Sequence, residues 1–146
     1  LSPYPGRPFV FMGMHLRKTL GKQFVSIGFA FDRGSFQGLD FRTPTPGYFL
    51  WKGFSVGSYK GSYGNTMART RLPLFYLDLR RLPAPGPVRD WFARPRVFRW
   101  INAIYDGEEE INHMFHLPSL HDGVIFIERT QRARPLPGGG SPPVPY

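Results

Sequence analysis

The chain has 146 residues, the size of one ordinary domain, and its 41% hydrophobic and 16% aromatic content is enough apolar material to exclude wholesale disorder. It has no cysteine, which excludes disulfides, thiolate nucleophiles and zinc–thiolate sites. A formal net charge of +9 is the balance of a protein that meets nucleic acid or an acidic partner, and 17 glycines with 16 prolines require much turn and loop.

Residues 1–8, with three prolines, read as an extended lead-in. Met12, Leu16 and Leu20 recur at i, i+4 and i+8 and predict a helix. Gly21 ends it, and Lys18 and Lys22 sit where cations suit the helix dipole. Residues 23–31, apolar almost throughout from Phe24 to Phe31, predict a strand buried on both faces, as in a parallel sheet. Gly28 admits a close neighbour there. Asp32 to Phe36 leave the strand as a loop.

Residues 37–53 read as a hairpin or irregular excursion with a short strand from Phe49 to Trp51. Residues 54–66 alternate Gly, Ser and Tyr, either as low complexity or as a Gly-rich loop over a site; without Walker spacing they are not read as a phosphate cradle. Leu74 to Leu79 predict a second strand. Val88 to Ala93 predict one or two helical turns stopped by Pro95. Arg99 to Tyr105 is a candidate short strand, Asp106 to Glu110 an acidic turn, and Gly123 to Ile127 the last strand. The tail from Arg132, rich in Pro and Gly, is expected to be disordered. The fold class is therefore α/β: a partial, mostly parallel sheet with flanking helices, Gly/Pro-rich loops and a disordered C-terminal tail. The expected organisation is lead-in 1–8, domain 9–131 and tail 132–146.

His15 lies on the first helix beside Leu16. It reads as a general base or substrate contact at a cleft, or as a boundary histidine that packs partly, and without a partner in sequence the second reading is preferred. Ser35, in Gly34-Ser35-Phe36 after a buried strand, can face a ligand crevice. Gln37 stands where a nucleophile elbow needs glycine, so no triad is read there. His113, His116 and His121 cluster near Glu108, Glu109 and Glu110, but no metal-ligand spacing frames them and Pro118 interrupts any helix; solvated loop histidines are preferred and no metal is assigned. Ser58 and Ser62 read as turn residues, and Asp78 as a structural ion pair with Arg80 or Arg81 or a cap on the next segment.

Fifteen of the basic residues are arginines spread along the chain with no nucleic-acid motif around them, so nucleic acid is not an expected partner. No run of about 18 apolar residues provides a membrane span and no leader pattern opens the chain, so the expected location is the cytoplasm. The first residue is Leu1, and the expectation is that further sequence precedes it.

Four segments in order carry a resemblance: Met12-Gly13-Met14-His15-Leu16-Arg17 with Leu20-Gly21; Phe24 to Phe31 followed by Gly34-Ser35-Phe36; Leu72-Pro73 leading to Phe75 through Arg80; and Trp91 to Arg96, Ala103 to Asp106, Phe115 to Pro118 and His121 to Glu128. In order and spacing they resemble the erythromycin esterase family, C-terminal portion only. The resemblance implies a hydrolase that attacks an ester, the best known being the lactone of macrolide antibiotics and hence antibiotic resistance. It implies a histidine general base activating water, with the catalytic histidines in motifs upstream of Leu1 and none carried over to this chain. It implies a small-molecule ester or lactone substrate, no cofactor, and the missing N-terminal part of the same protein as partner. Residues near the missing motif, and so candidate substrate contacts, are His15, Ser35 and Phe36. Where relatives tend to carry an acidic residue after Gly-Ser-x, this chain has Gly64 after Gly61-Ser62-Tyr63, which bears on activity. The alternative from the residues is a stand-alone basic binding module built on Tyr48, Tyr59 and Tyr63.

Overall fold

A computed structural model describes residues 12–40, 48–101, 103–134 and 144–145. The lead-in expected at residues 1–8 lies outside them. In chain order the elements are α1 (Met12–Leu20), β1 (Ile27–Asp40), β2 (Tyr48–Val56), α2 (Tyr63–Ala68), β3 (Leu74–Asp78), α3 (Pro87–Phe92), β4 (Arg96–Arg99), α4 (Glu108–Ile111), β5 (Asn112–Phe115), α5 (Leu117–Leu120), β6 (Gly123–Thr130) and β7 (Val144–Pro145). They form a five-stranded sheet in the order β3-β6-β1-β2-β7 and a two-stranded sheet of β4 and β5, flanked by the helices.

The α/β class stands, but the expected mostly parallel pairing is corrected. Among the strand pairs of the described residues only β1 and β6 run parallel; β1–β2, β2–β7, β3–β6 and β4–β5 are antiparallel. One reason is arithmetic. A parallel connection needs a crossover of about a dozen residues or more, and β2 begins at Tyr48 directly after the short stretch that follows Asp40. Val144–Pro145, expected to lie in a disordered tail, pair with Tyr48 and Phe49; residues 135–143 of that tail lie outside the described ones.

The strand expected to end at Phe31 instead continues to Asp40, so the loop expected at Asp32 to Phe36 is also corrected. Gly34 makes this possible. Its φ is +137°, and a Cβ there would lie 2.3 Å from the Thr130 carbonyl oxygen. With no side chain, β1 stays against β6 as far as the pair Gly34–Thr130 and then hands over to β2, from Gly34–Val56 to Asp40–Leu50.

Gly28, Ala30 and Asp32 are buried, whereas Ile27 and Phe29 are 49% and 64% exposed. Burial on both faces, expected for this strand, is thus corrected: the inner face is packed and the outer face is bare. The inner face meets Tyr63, Met67, Phe92, Phe98 and Leu117 through Ala30, Val124 and Phe126. Tyr63 is fully buried at the start of α2, edge-on to Trp91 at 5.3 Å and stacked on Phe92 at 6.0 Å. Its hydroxyl lies 3.3 Å from both the Arg94 and Phe115 carbonyls and accepts from the Leu117 N–H, and burial pushes its pKa up. The tyrosine proposed for a binding surface is therefore a core residue; Tyr59 is exposed and the Tyr48 side chain lies outside the described ones. A second cluster, Val56, Tyr105 and Ile111 with Phe36 and Phe54 against it, fills the space where β1 pairs with β2.

Candidate functional site

The carboxyl end of the parallel pair is the natural place for a crevice in an α/β protein, and here it holds a polar cluster. Asp32, 2% exposed, points inward from β1. Ser58, in the loop that leaves β2 beside Gly34, donates its hydroxyl to Asp32 Oδ1, and Asn65 of α2 donates to Ser58 Oγ at 2.9 Å. Arg33 reaches back to Asp32 Oδ2 at 2.9 Å and across to Glu128 Oε1 of β6 at 2.6 Å. Arg99, at the end of β4, donates from one terminal nitrogen to the Asp32 carbonyl at 2.7 Å, while its Nε meets Asn112 Oδ1 at 3.4 Å. Its guanidinium lies 5.3 Å from the Phe31 ring centroid.

Two carboxylates face two guanidiniums here, so the cluster is formally neutral. Each Asp32 oxygen accepts one hydrogen bond, Oδ1 from Ser58 and Oδ2 from Arg33. Burial lowers the Arg99 pKa, and among the described residues its other terminal nitrogen is buried without a hydrogen-bond partner, as is Thr130 Oγ1. Such orphans are rare enough to ask for a reason, and both sit at this end. The arrangement can orient groups and supply positive charge, and it sets one hydroxyl, that of Ser58, on a buried carboxylate, Asp32.

The amino end of the same strands is closed differently. Asp122, just before β6, accepts from the Ser26 N–H at 2.8 Å and from Arg17 of α1 at 2.9 Å. These two donors, Arg17 first, hold its carboxyl below the ordinary range. Ser26 Oγ and His121 Nδ1 lie 2.9 Å apart. The pair has the spacing of an activated serine, but the histidine is not oriented by the carboxylate as a triad requires. The other side of the ring is pressed against the sheet, since a Cβ on Gly28 would lie 2.7 Å from Nε2. Burial lowers the His121 pKa. His121 is therefore half-buried packing against Phe98, not the solvated loop histidine expected. A groove of about 320 Å³ nearby, lined by Arg80, Arg89 and His116 among others, has its arginines already bonded, Arg80 to Asp78 and Arg89 to the Leu82 and Pro83 carbonyls.

The three residues singled out from the sequence are not brought together. His15 is exposed on α1, whose Arg17 is tied to the amino end. Ser35 and Phe36 lie beyond the carboxyl end, roughly 26 Å along β1 from Ile27 at about 3.3 Å per residue. Ser35 Oγ accepts the Arg132 N–H at 3.0 Å. Phe36 packs at 5.1 Å on Tyr105 and 5.9 Å on Phe54. Asp32, Arg33, Arg99 and Glu128 were not singled out. The one legible signal was a carboxylate directly after eight nearly unbroken apolar positions, Phe24 to Phe31, followed at once by arginine. Asp78 is the ion pair and cap read from the sequence: it accepts from the Arg80 N–H and Nε, each at 3.0 Å.

The chain is a mixed α/β domain with a polar cluster at the carboxyl end of its parallel pair. Two solved structures share the fold: a succinoglycan biosynthesis protein (TM-score 0.67, 19% identity) and a protein from Bacillus cereus (TM-score 0.64, 20% identity). Each match covers 82% of this chain, and the chain spans only 27% and 28% of the two structures. No curated protein sequence matches. The profile of the erythromycin esterase family matches residues 5–130, and the chain belongs to that family.

Proposed function

We propose that these residues form one wall of the cleft in a carboxylic ester hydrolase acting on a small-molecule ester or lactone of the macrolide kind. The attacking water is activated by a histidine general base carried outside these 146 residues, on the N-terminal part of the protein. The observation that carries this reading is the carboxyl-end cluster. It is formally neutral, and its members Asp32, Arg33, Ser58, Asn65, Arg99 and Glu128 include no histidine, which suits a wall that orients and stabilises charge, and Arg99 carries a buried N–H without a partner that can support developing negative charge. Ser35 and Phe36 border it in sequence, and His15 keeps a place only as a more distant substrate contact. On this reading no cofactor takes part, the enzyme acts in the cytoplasm, and resistance to a macrolide is the consequence. The family membership and the coverage of about a quarter of each solved neighbour support it.

A sugar ester is the competing substrate, favoured by the name of the first neighbour. The test uses the protein isolated from its source, with its intact mass recorded, beside the 146-residue chain. Each is incubated in ¹⁸O-water with a macrolide, an aryl ester and an O-acylated sugar. The source protein is expected to open the lactone with ¹⁸O in the new carboxylate, and the short chain to turn over nothing. Hydrolysis by the short chain, or none by the source protein on any substrate, overturns the reading.

A further inference from the structure

The outer face of β3, β6 and β1 carries exposed apolar side chains on β3 and β1, with Ile125 and Ile127 of β6 partly buried between them. Register places Tyr76, Ile125 and Phe29 in one cross-strand row and Leu74 and Ile127 in the next. Leu74, Tyr76, Ile27 and Phe29 are 64%, 49%, 49% and 64% exposed. α1 does not cover them, since none of its residues is buried and its Arg17 is held at the strand ends. Parallel strands are ordinarily covered on both faces, and contiguous apolar patches of this kind mark interaction surfaces. Here one half of the β1–β6 pair is packed and the other is open.

The dimensions select the occupant. Three strands about 4.8 Å apart present a face about 10 Å wide, the diameter of one α-helix. Five residues of β3 run about 17 Å, which is about 11 helical residues at 1.5 Å each. The inner face of the same sheet is already covered by helical elements. Arg129 continues the outer row of β6 beyond Ile127 and is exposed, and the chain carries +9. A complement is therefore acidic at that end. The two solved neighbours share this fold, and about three-quarters of each lies outside the part this chain matches.

We propose that the outer face of β3, β6 and β1 seats an amphipathic α-helix of about three turns with an acidic edge, contributed by the part of a family-length polypeptide that these residues do not span. The proposal rests on family membership and not on ester hydrolysis.

The test places a benzophenone-bearing phenylalanine at position 29, and separately at 74, in the protein produced from its own gene. Peptide mass spectrometry then maps the photoproducts. Position 114, exposed in β5 and off this face, serves as control. The expected result is that positions 29 and 74 cross-link to one segment outside residues 1–146 with apolar residues at i, i+3 and i+4, and that position 114 does not. Phe29→Asp is expected to reduce the product from position 74 at least tenfold. Cross-links between two copies of this face overturn the proposal, because the occupant is then a second copy. No cross-link from either position overturns it as well. Substrate turnover is not the readout, so a protein that docks this helix yet hydrolyses nothing sinks the hydrolase reading alone.

Discussion

Gly64 is the position where sequence comparison and structure meet most sharply, and its replacement by alanine has a calculable outcome. In the second position of α2, alanine is ordinarily better than glycine by up to about 1 kcal/mol. Here a Cβ would lie 2.2 Å from the Phe31 carbonyl oxygen, 2.9 Å from its carbon and 3.2 Å from Asp32 Cα. These are backbone atoms of a central strand and no rotamer change relieves them. Relief requires α2 to retreat by about 1 Å, which drags Tyr63 from the middle of the core and Asn65 from Ser58. Overpacking of this kind costs about 1–3 kcal/mol. Gly64→Ala is therefore expected to destabilise by about 2 kcal/mol, a fall in Tm of roughly 4–8 °C for a domain of this size. Gly57→Ala, where nothing lies within 4 Å, is the control and should not move. Thermal unfolding followed by far-UV circular dichroism decides it. A Gly64→Ala protein as stable as the parent means that α2 does not sit this close to β1. Gly64→Glu, with a longer side chain at the same point, should do at least as much damage.

Three further outcomes follow from the two polar ends. Burial lowers the His121 pKa from an ordinary 6.5, so below that pH the unfolded chain takes up a proton that the folded one resists. Stability should be level above about pH 6.5 and fall beneath it, and urea melts of His121→Gln should lose this slope; a slope kept by the variant removes His121 as its cause. Asp122 and Asp78 are lowered as well, each chiefly by an arginine, so their contribution is present above an ordinary 3.8 and lost only as the pH falls below it, a separate window. Asp32→Asn keeps the shape but removes the charge facing Arg33 and an acceptor for Ser58, and should cost about 1–3 kcal/mol in urea unfolding; a neutral result means the cluster is slack. Arg99→Met removes the donor to the buried Asp32 carbonyl and leaves the cluster one positive charge short, so a loss of about 1–3 kcal/mol is expected; an unchanged stability means that Arg99 does not hold this end together.

How much of this could be read beforehand depended on whether the cause was local. The first helix ends where Gly21, at φ +53°, permits a turn no side chain favours. β6 begins at Gly123 and β3 at Leu74, as their apolar runs predict, because unbroken apolar runs have few alternatives. The middle of β1 was misread because charged and small residues after Phe31 look like solvent, and only a partner about 95 positions away turns Arg33 into part of a sheet. Strand direction was likewise hidden, since β6 meets β1 and β3 with opposite sense although its own sequence is the same for both. The site shared the difficulty. Asp32, Ser58, Arg99 and Glu128 are scattered along the chain and become a cluster only when two strands, a loop and the end of β4 converge.

The two ends of the parallel pair also constrain where a substrate can enter. At the amino end, Arg17, Ser26 and Asp122 join α1 to the strands, and His121 fills the gap beneath them with its ring against Gly28. A ligand there has to displace packed side chains. At the carboxyl end the charges cancel, yet a guanidinium N–H and a threonine hydroxyl stay unpaired within the described residues. Polar groups left unsatisfied beside a neutral scaffold favour an incoming acceptor more than a free cation does, because binding removes a desolvation penalty already present in the protein. If the general base arrives from elsewhere in the polypeptide, this is the end at which it can meet a carbonyl held by Arg99. In the source protein, assayed well below its Tm, Arg99→Met should lower kcat by more than its loss of stability accounts for, with little change in KM, as removal of a group felt mainly in the transition state does. Equal losses of stability and activity mean that Arg99 only holds the fold.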